Sequence, residues 1–86
     1  MKTTYKALSE TRRGLKKEFA DLEYYLLMDT SKRIYVSSDI TDECIPFVSD
    51  NKGAFLFDTI TDAYNFKNEH ELFNFSIIGS SRLNLI

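Results

Sequence analysis

Seven phenylalanines and five tyrosines are spread through a chain of only 86 residues, and this pairing of bulk with brevity most limits the fold. A chain this short buries roughly 60 to 65% of its unfolded surface, so its core must come from few, large side chains. It has room for one small domain, residues 1–86, and not for two lobes with a cleft between them. With 43% hydrophobic residues, 28% charged residues and a net charge of -2, the composition suits an ordinary globular protein rather than a disordered tail.

The longest apolar runs, Tyr24 to Met28 and Ala54 to Phe57, fall far short of the ~20 residues a membrane-spanning helix needs. The start, Met1-Lys2-Thr3-Thr4-Tyr5-Lys6-Ala7-Leu8, has no apolar stretch behind its cation, so a secretory signal is not expected and a cytoplasmic location is. Cys44 is the single cysteine. With no basic neighbour in sequence to lower its pKa, it reads as a small core filler in a reducing compartment.

Helical spacing opens the chain. Leu8, Leu15, Phe19 and Leu22 form an apolar stripe, and Arg12, Arg13, Lys16 and Lys17 sweep the adjoining, wet side of the same helix. Gly14 inside it leaves two readings: a helix from Ser9, or one from Leu15 preceded by a strand over residues 3–8. Two β-favouring runs follow, Glu23 to Met28 and Arg33 to Ser37, joined by Asp29-Thr30-Ser31-Lys32 as an antiparallel hairpin. Alternation puts Ile34 and Val36 on a buried face and leaves Arg33, Tyr35 and Ser37 on a partly wet one.

The polar connection Ser38 to Lys52 is pinned by Ile45 and Phe47, with Pro46 disfavouring helix before it. Ala54 to Phe57 reads as a central strand buried on both faces. Thr59 to Asp62 fits the Ser/Thr-x-x-Asp/Glu helix start, with Ile60, Ala63, Tyr64 and Phe66 as the inner side. A last strand runs over residues 72–78, and Leu83 and Leu85 let the tail dock as an edge strand. The sum is an α+β domain in the order α-β-β-loop-β-α-β, a mixed sheet of about four strands covered by two helices, with a parallel crossover between the last two strands.

Catalytic constellations fail one by one. His70 and Cys44 are single and 26 positions apart, which is not zinc-ligand spacing. Cys44, His70 and Asp42 form a nucleophile, base and acid only on paper. Asp50-Asn51-Lys52-Gly53 and Gly79-Ser80-Ser81-Arg82 lack the glycine spacing of phosphate loops. No enzyme, metal or cofactor is expected.

Charge is distributed unevenly. Residues 1–20 carry six Lys/Arg and two Glu, whereas residues 21–86 carry five Lys/Arg and eleven Asp/Glu. Two surfaces are therefore candidate partner-binding sites: Arg12, Arg13, Lys16 and Lys17, and the acidic run Asp39, Asp42, Glu43 and Asp50, which could imitate phosphates. Tyr35, beside Arg33, adds an interface-like aromatic. The abundance of Phe, Tyr, Ile, Asn and Lys with little Gly, Ala or Pro resembles, in style and length, the short accessory proteins of phages and mobile elements. The leading expectation is a non-catalytic module that inhibits or adapts a larger, nucleic-acid-handling protein. Nucleic-acid binding through the basic helix comes second, and a small metal-independent ribonuclease toxin using Arg, Lys and Tyr, to be tested at Arg82 and His70, third. No membrane is involved, and homodimerisation through a strand edge stays open.

Overall fold

A computed structural model of the chain describes residues 4–41 and 43–83. Helix α1 spans Tyr5–Glu18, and Thr4 caps it by accepting from the Ala7 N–H at 3.0 Å. The continuous helix crosses Gly14, where an added Cβ would meet open space, so residues 4–8 are not a strand. Strands β1 (Tyr25–Asp29) and β2 (Ile34–Val36) form the expected hairpin, and β3 (Phe47–Val48) and β4 (Phe75–Gly79) flank it. Helix α2 spans Ile60–Glu69, capped by Thr59 Oγ1, which accepts from the Asp62 N–H at 3.0 Å as its motif predicts.

The protein is thus a small α+β domain with a four-stranded sheet in the order β3-β2-β1-β4. Every strand pair is antiparallel, so the expected mixed sheet with a parallel crossover is not formed. The reason lies in residues 53–57. Phe55 N–H donates to Val36 C=O at 2.9 Å and Ser38 N–H to Gly53 C=O at 2.9 Å, while Tyr25 and Phe57 exchange bonds of 2.9 and 2.7 Å. The segment wedges between the diverging ends of β1 and β2, touching each through a single bridge, and never becomes a full strand beside β4.

Both faces of the sheet are covered. Leu27, Val36, Phe75, Ala63 and Phe66 gather with Phe55 and Phe57 on one face, and Tyr24, Leu26, Tyr35, Ala54 and Leu56 gather on the other. The wedge alternates between them, as an extended chain must. Tyr35 is therefore only 8% exposed, which overturns the expectation of a wet face carrying it. Of the α2 residues expected inside, Ala63 and Phe66 are buried, whereas Ile60 and Tyr64 are exposed. The sheet curls enough for Phe47 on β3 to stack on Phe75 of β4, with ring centroids 5.3 Å apart. The tail forms a 3-10 turn at Ser80–Leu83 instead of an edge strand, and Leu85 lies outside the described residues.

Two turns rest on positive-φ residues that are not glycine. In the hairpin, Asp29 Oδ1 accepts from Ser31 N–H, Ser31 Oγ and Lys32 N–H at 3.0, 2.8 and 3.2 Å, and Arg33 follows at φ 55°. After α2, Glu71 adopts φ 55° while Glu71 N–H and Leu72 N–H return to the carbonyls of Asn68 and Lys67, the Schellman pattern that usually recruits glycine. A Cβ in this conformation costs about 1 kcal/mol or more. Arg33→Gly and Glu71→Gly, both at exposed positions, should each raise stability by about 0.5 to 1 kcal/mol in urea titrations, the gain reduced by the added freedom of the unfolded chain.

Candidate interaction surface

The face that α1 turns toward the body is charged. Ser9, Arg12, Arg13 and Lys16 follow the i, i+3, i+4, i+7 spacing of one helix side. Ser9 Oγ donates to Ala54 C=O at 3.3 Å, Arg12 Nη1 to Leu56 C=O at 2.6 Å, and Arg13 Nη2 to Asn51 C=O at 2.8 Å and also to Ala54 C=O. Arg12 also lies over the Phe55 ring, 5.6 Å from its centroid. Lys16, only 6% exposed, donates to Ala20 C=O at 2.7 Å, to Leu22 C=O, and to Ser81 Oγ at 3.1 Å.

These bonds follow from the wedge. A chain segment outside a full ladder leaves carbonyls that still need donors, and Ala54 and Leu56 are fully buried. The long, multi-donor Arg side chains reach them while their stems cover apolar surface. Burial leaves the Arg13 pKa below its ordinary value despite the opposing charge of Asp50, and the guanidinium remains protonated.

The basic set is therefore divided. Arg12 and Arg13 are half-buried, Lys16 is buried, and Lys17 is exposed with no hydrogen bond among the described residues. The wet basic face expected from the sequence is instead an internal anchor, because buried carbonyls compete for its donors more strongly than water does. Of the expected inner stripe Leu8 packs against the core, and the rest comes outward in exchange. Leu15 and Leu22 are exposed and Phe19 is 50% exposed, with charged Lys17, Glu18 and Asp21 around them.

Asp39 and Glu43 are exposed in the loop between β2 and β3, and Asp42 lies outside the described residues. Asp50 caps the 3-10 turn Asn51–Gly53 by accepting from Lys52 N–H at 2.9 Å, and its charge bears on Arg13. Cys44 is exposed, contrary to the expected core filler. Its N–H donates to Thr41 Oγ1 at 3.1 Å and its carbonyl accepts from Thr41 N–H at 3.0 Å, a local turn pinned to the core by Ile40 and Ile45 instead.

Two shallow grooves flank α2. One, of about 260 Å³, has an aromatic floor of Tyr5, Phe55, Phe57 and Phe66 with Arg12, Asp62 and Glu69 at its rim. The other, of about 350 Å³, brings Cys44 and His70 to one lining with Thr41 and Glu43, a proximity that spacing in the sequence gave no sign of. No group of three or more His, Cys, Asp or Glu among the described residues could hold a metal ion. Neither groove collects several cations. No described helix is long and apolar enough to cross a membrane. Compared with protein-family models, curated proteins and solved structures, the chain finds no match.

One carboxylate ties the tail to the sheet. Glu23 Oε1 accepts from Ser80 Oγ and Ser81 N–H, both at 2.8 Å, and Ser80 Oγ accepts from Tyr24 N–H at 3.0 Å. Burial pushes the Glu23 pKa up, but the bonds from Ser81 and Ser80 and the charge of Lys16 outweigh it, leaving the group below its ordinary value. Asp29 is lowered as well, chiefly by the Ser31 hydroxyl and against opposing desolvation, with the Ser31 and Lys32 N–H groups and the Lys32 charge assisting.

The anchors predict a graded response. Arg12→Ala and Arg13→Ala should each cost about 2 to 3 kcal/mol in chemical denaturation, because a charge-assisted bond is lost and a carbonyl loses a donor, whereas Lys17→Ala should stay within about 0.5 kcal/mol. The two lowered carboxyls hold stability that is complete above the unfolded pKa of about 4 and is lost as pH falls through their folded values. Thermal melts from pH 6 to pH 2 should therefore drop on the acid side, and Glu23→Gln and Asp29→Asn should each flatten that drop.

Proposed function

We propose that the protein is a non-catalytic binding module that docks the exposed end of α1, centred on Phe19 with Leu15 and Leu22, into a cleft of a larger protein. One observation carries the reading: Arg12, Arg13 and Lys16 of α1 are spent on internal carbonyls, while Leu15 of α1 and Phe19 and Leu22 at and just beyond its end are exposed. A small domain short of core material gains most by burying such residues itself, so leaving them out makes sense when a partner covers them. Exposed Glu18 and Asp21 bracket Phe19, and the matching cleft is apolar at its centre with Lys or Arg at its rim.

The same observation weighs against nucleic acid as the direct ligand, since Arg12, Arg13 and Lys16 are committed to oxygens of their own chain. A ribonuclease reading wants several cations converging on one concave site, which neither groove supplies. An inhibitor or adaptor role, of the kind short phage-like accessory proteins perform, is the form of the proposal that suits an 86-residue chain.

Affinity capture with the wild type, followed by binding measurements on the purified partner, tests it. Phe19→Glu should weaken binding by roughly 30-fold or more, the loss of a central aromatic anchor of about 2 kcal/mol, while the melting temperature stays close to wild type. Equal capture by wild type and Phe19→Glu, or recovery of nucleic acid with no stoichiometric protein, would overturn it.

A further inference from the structure

We propose that the protein forms a two-fold dimer in which β4 pairs antiparallel with β4 of a second copy, the dyad passing through Ile77. The register supplies the argument. Tyr25 spends both its N–H and its C=O on Phe57, on the side of β1 away from β4. Because successive residues of a strand point their backbone groups to opposite sides, Leu26 and Met28 bond β4 through their partners Ile78 and Ser76. The N–H and C=O groups of Ile77 and Gly79 then face outward from the sheet. The Gly79 C=O faces the 3-10 turn that follows it, whereas no turn or loop bond among the described residues reaches the Ile77 N–H, the Ile77 C=O or the Gly79 N–H; the Phe75 N–H is already satisfied by Leu72 C=O at 3.1 Å.

An edge of this kind is a template for another strand, and proteins normally blunt it with Lys, Pro, a bulge or a covering element. Among the described residues β4 carries no such charge, proline or bulge: Leu72 to Ser81 contains no charged residue and no proline, and its register with β1 is continuous. That neutrality favours a second copy, since two identical edges meet without like charges. The register is self-complementary too. With Ile77 opposite the partner's Ile77, the two Ile77 residues exchange bonds, and each Gly79 N–H donates to the C=O of the partner's Phe75. The Phe75 N–H, which is committed internally, is not required. On one face Ile77 covers the partner's Ile77, and on the other Ser76 covers the partner's Ile78, so the half-buried Ile77 and Ile78 both gain cover. The pairing edge uses none of Leu15, Phe19 or Leu22, and its readout is self-association rather than capture of a partner, so the two proposals fail independently.

Sedimentation of the full chain over a concentration series tests the pairing. Wild type should move from monomer to twice the monomer mass at high micromolar concentration. Ile77→Pro removes an outward N–H that no ladder bond uses, and should be monomeric with the circular dichroism of the folded chain retained. Since Ile77 also packs in the core, Ser76→Lys, at an exposed site on the other face, serves as the second variant and should weaken dimerisation by about tenfold or more. Wild type that stays monomeric throughout, wild type that pairs only with an added extended peptide, or a dimer unaffected by both substitutions would each overturn the proposal.

Discussion

The structure depends on the bonds from the cations of α1 to the carbonyls of residues 51–56. The wedge between β1 and β2 supplies Phe55 and Phe57 to one core cluster and Ala54 and Leu56 to the other. Its backbone, however, reaches the strands at only a few points. Carbonyls left without donors in a dry interior cost about 1 to 3 kcal/mol apiece, a large fraction of what a small domain has in reserve. Arg12, Arg13 and Ser9 remove that penalty, and no buried polar side-chain atom among the described residues lacks a partner. Lys16 extends the same device to the loop after the helix and to the tail at Ser81.

That arrangement has a consequence for the surface. A helix has one side to give to the body, and α1 gives the side with the donors. Leu15 is displaced outward by the geometry that satisfies the wedge, and the helix stops at Glu18 with Phe19 and Leu22 exposed in the turn that follows. The internal anchor and the outward apolar end are two results of one helix orientation, and this links the packing of the domain to the way it is proposed to act.

Part of this was legible in the chain. Thr59 and Asp62 announced a helix start because an N-cap interaction spans three residues and needs no distant partner. Asp29-Thr30-Ser31-Lys32 announced a turn for the same reason, its carboxylate bonding residues two and three positions ahead. Ala54 to Phe57 misled because a short apolar run buried on both sides looks the same whether it completes a ladder or bridges two diverging strands. The Cys44 and His70 groove was illegible: it arises when the loop before β3 packs near the end of α2, a contact between segments 26 residues apart.

By itself, the sequence determined the α+β class, the hairpin, two helices, the N-cap of α2 and the uneven charge, all of which depend on neighbours within one or two turns of chain. The tertiary structure alone decided which side of α1 is inside. Periodicity assigns the inner face to the apolar residues, since burying a cation without partners costs more than burying a leucine gains. Here the partners exist, but they are the carbonyls of Asn51, Ala54 and Leu56, more than thirty-five residues from the arginines that bind them. Only the folded chain brings acceptor and donor together, and that long-range match turns the basic face inward.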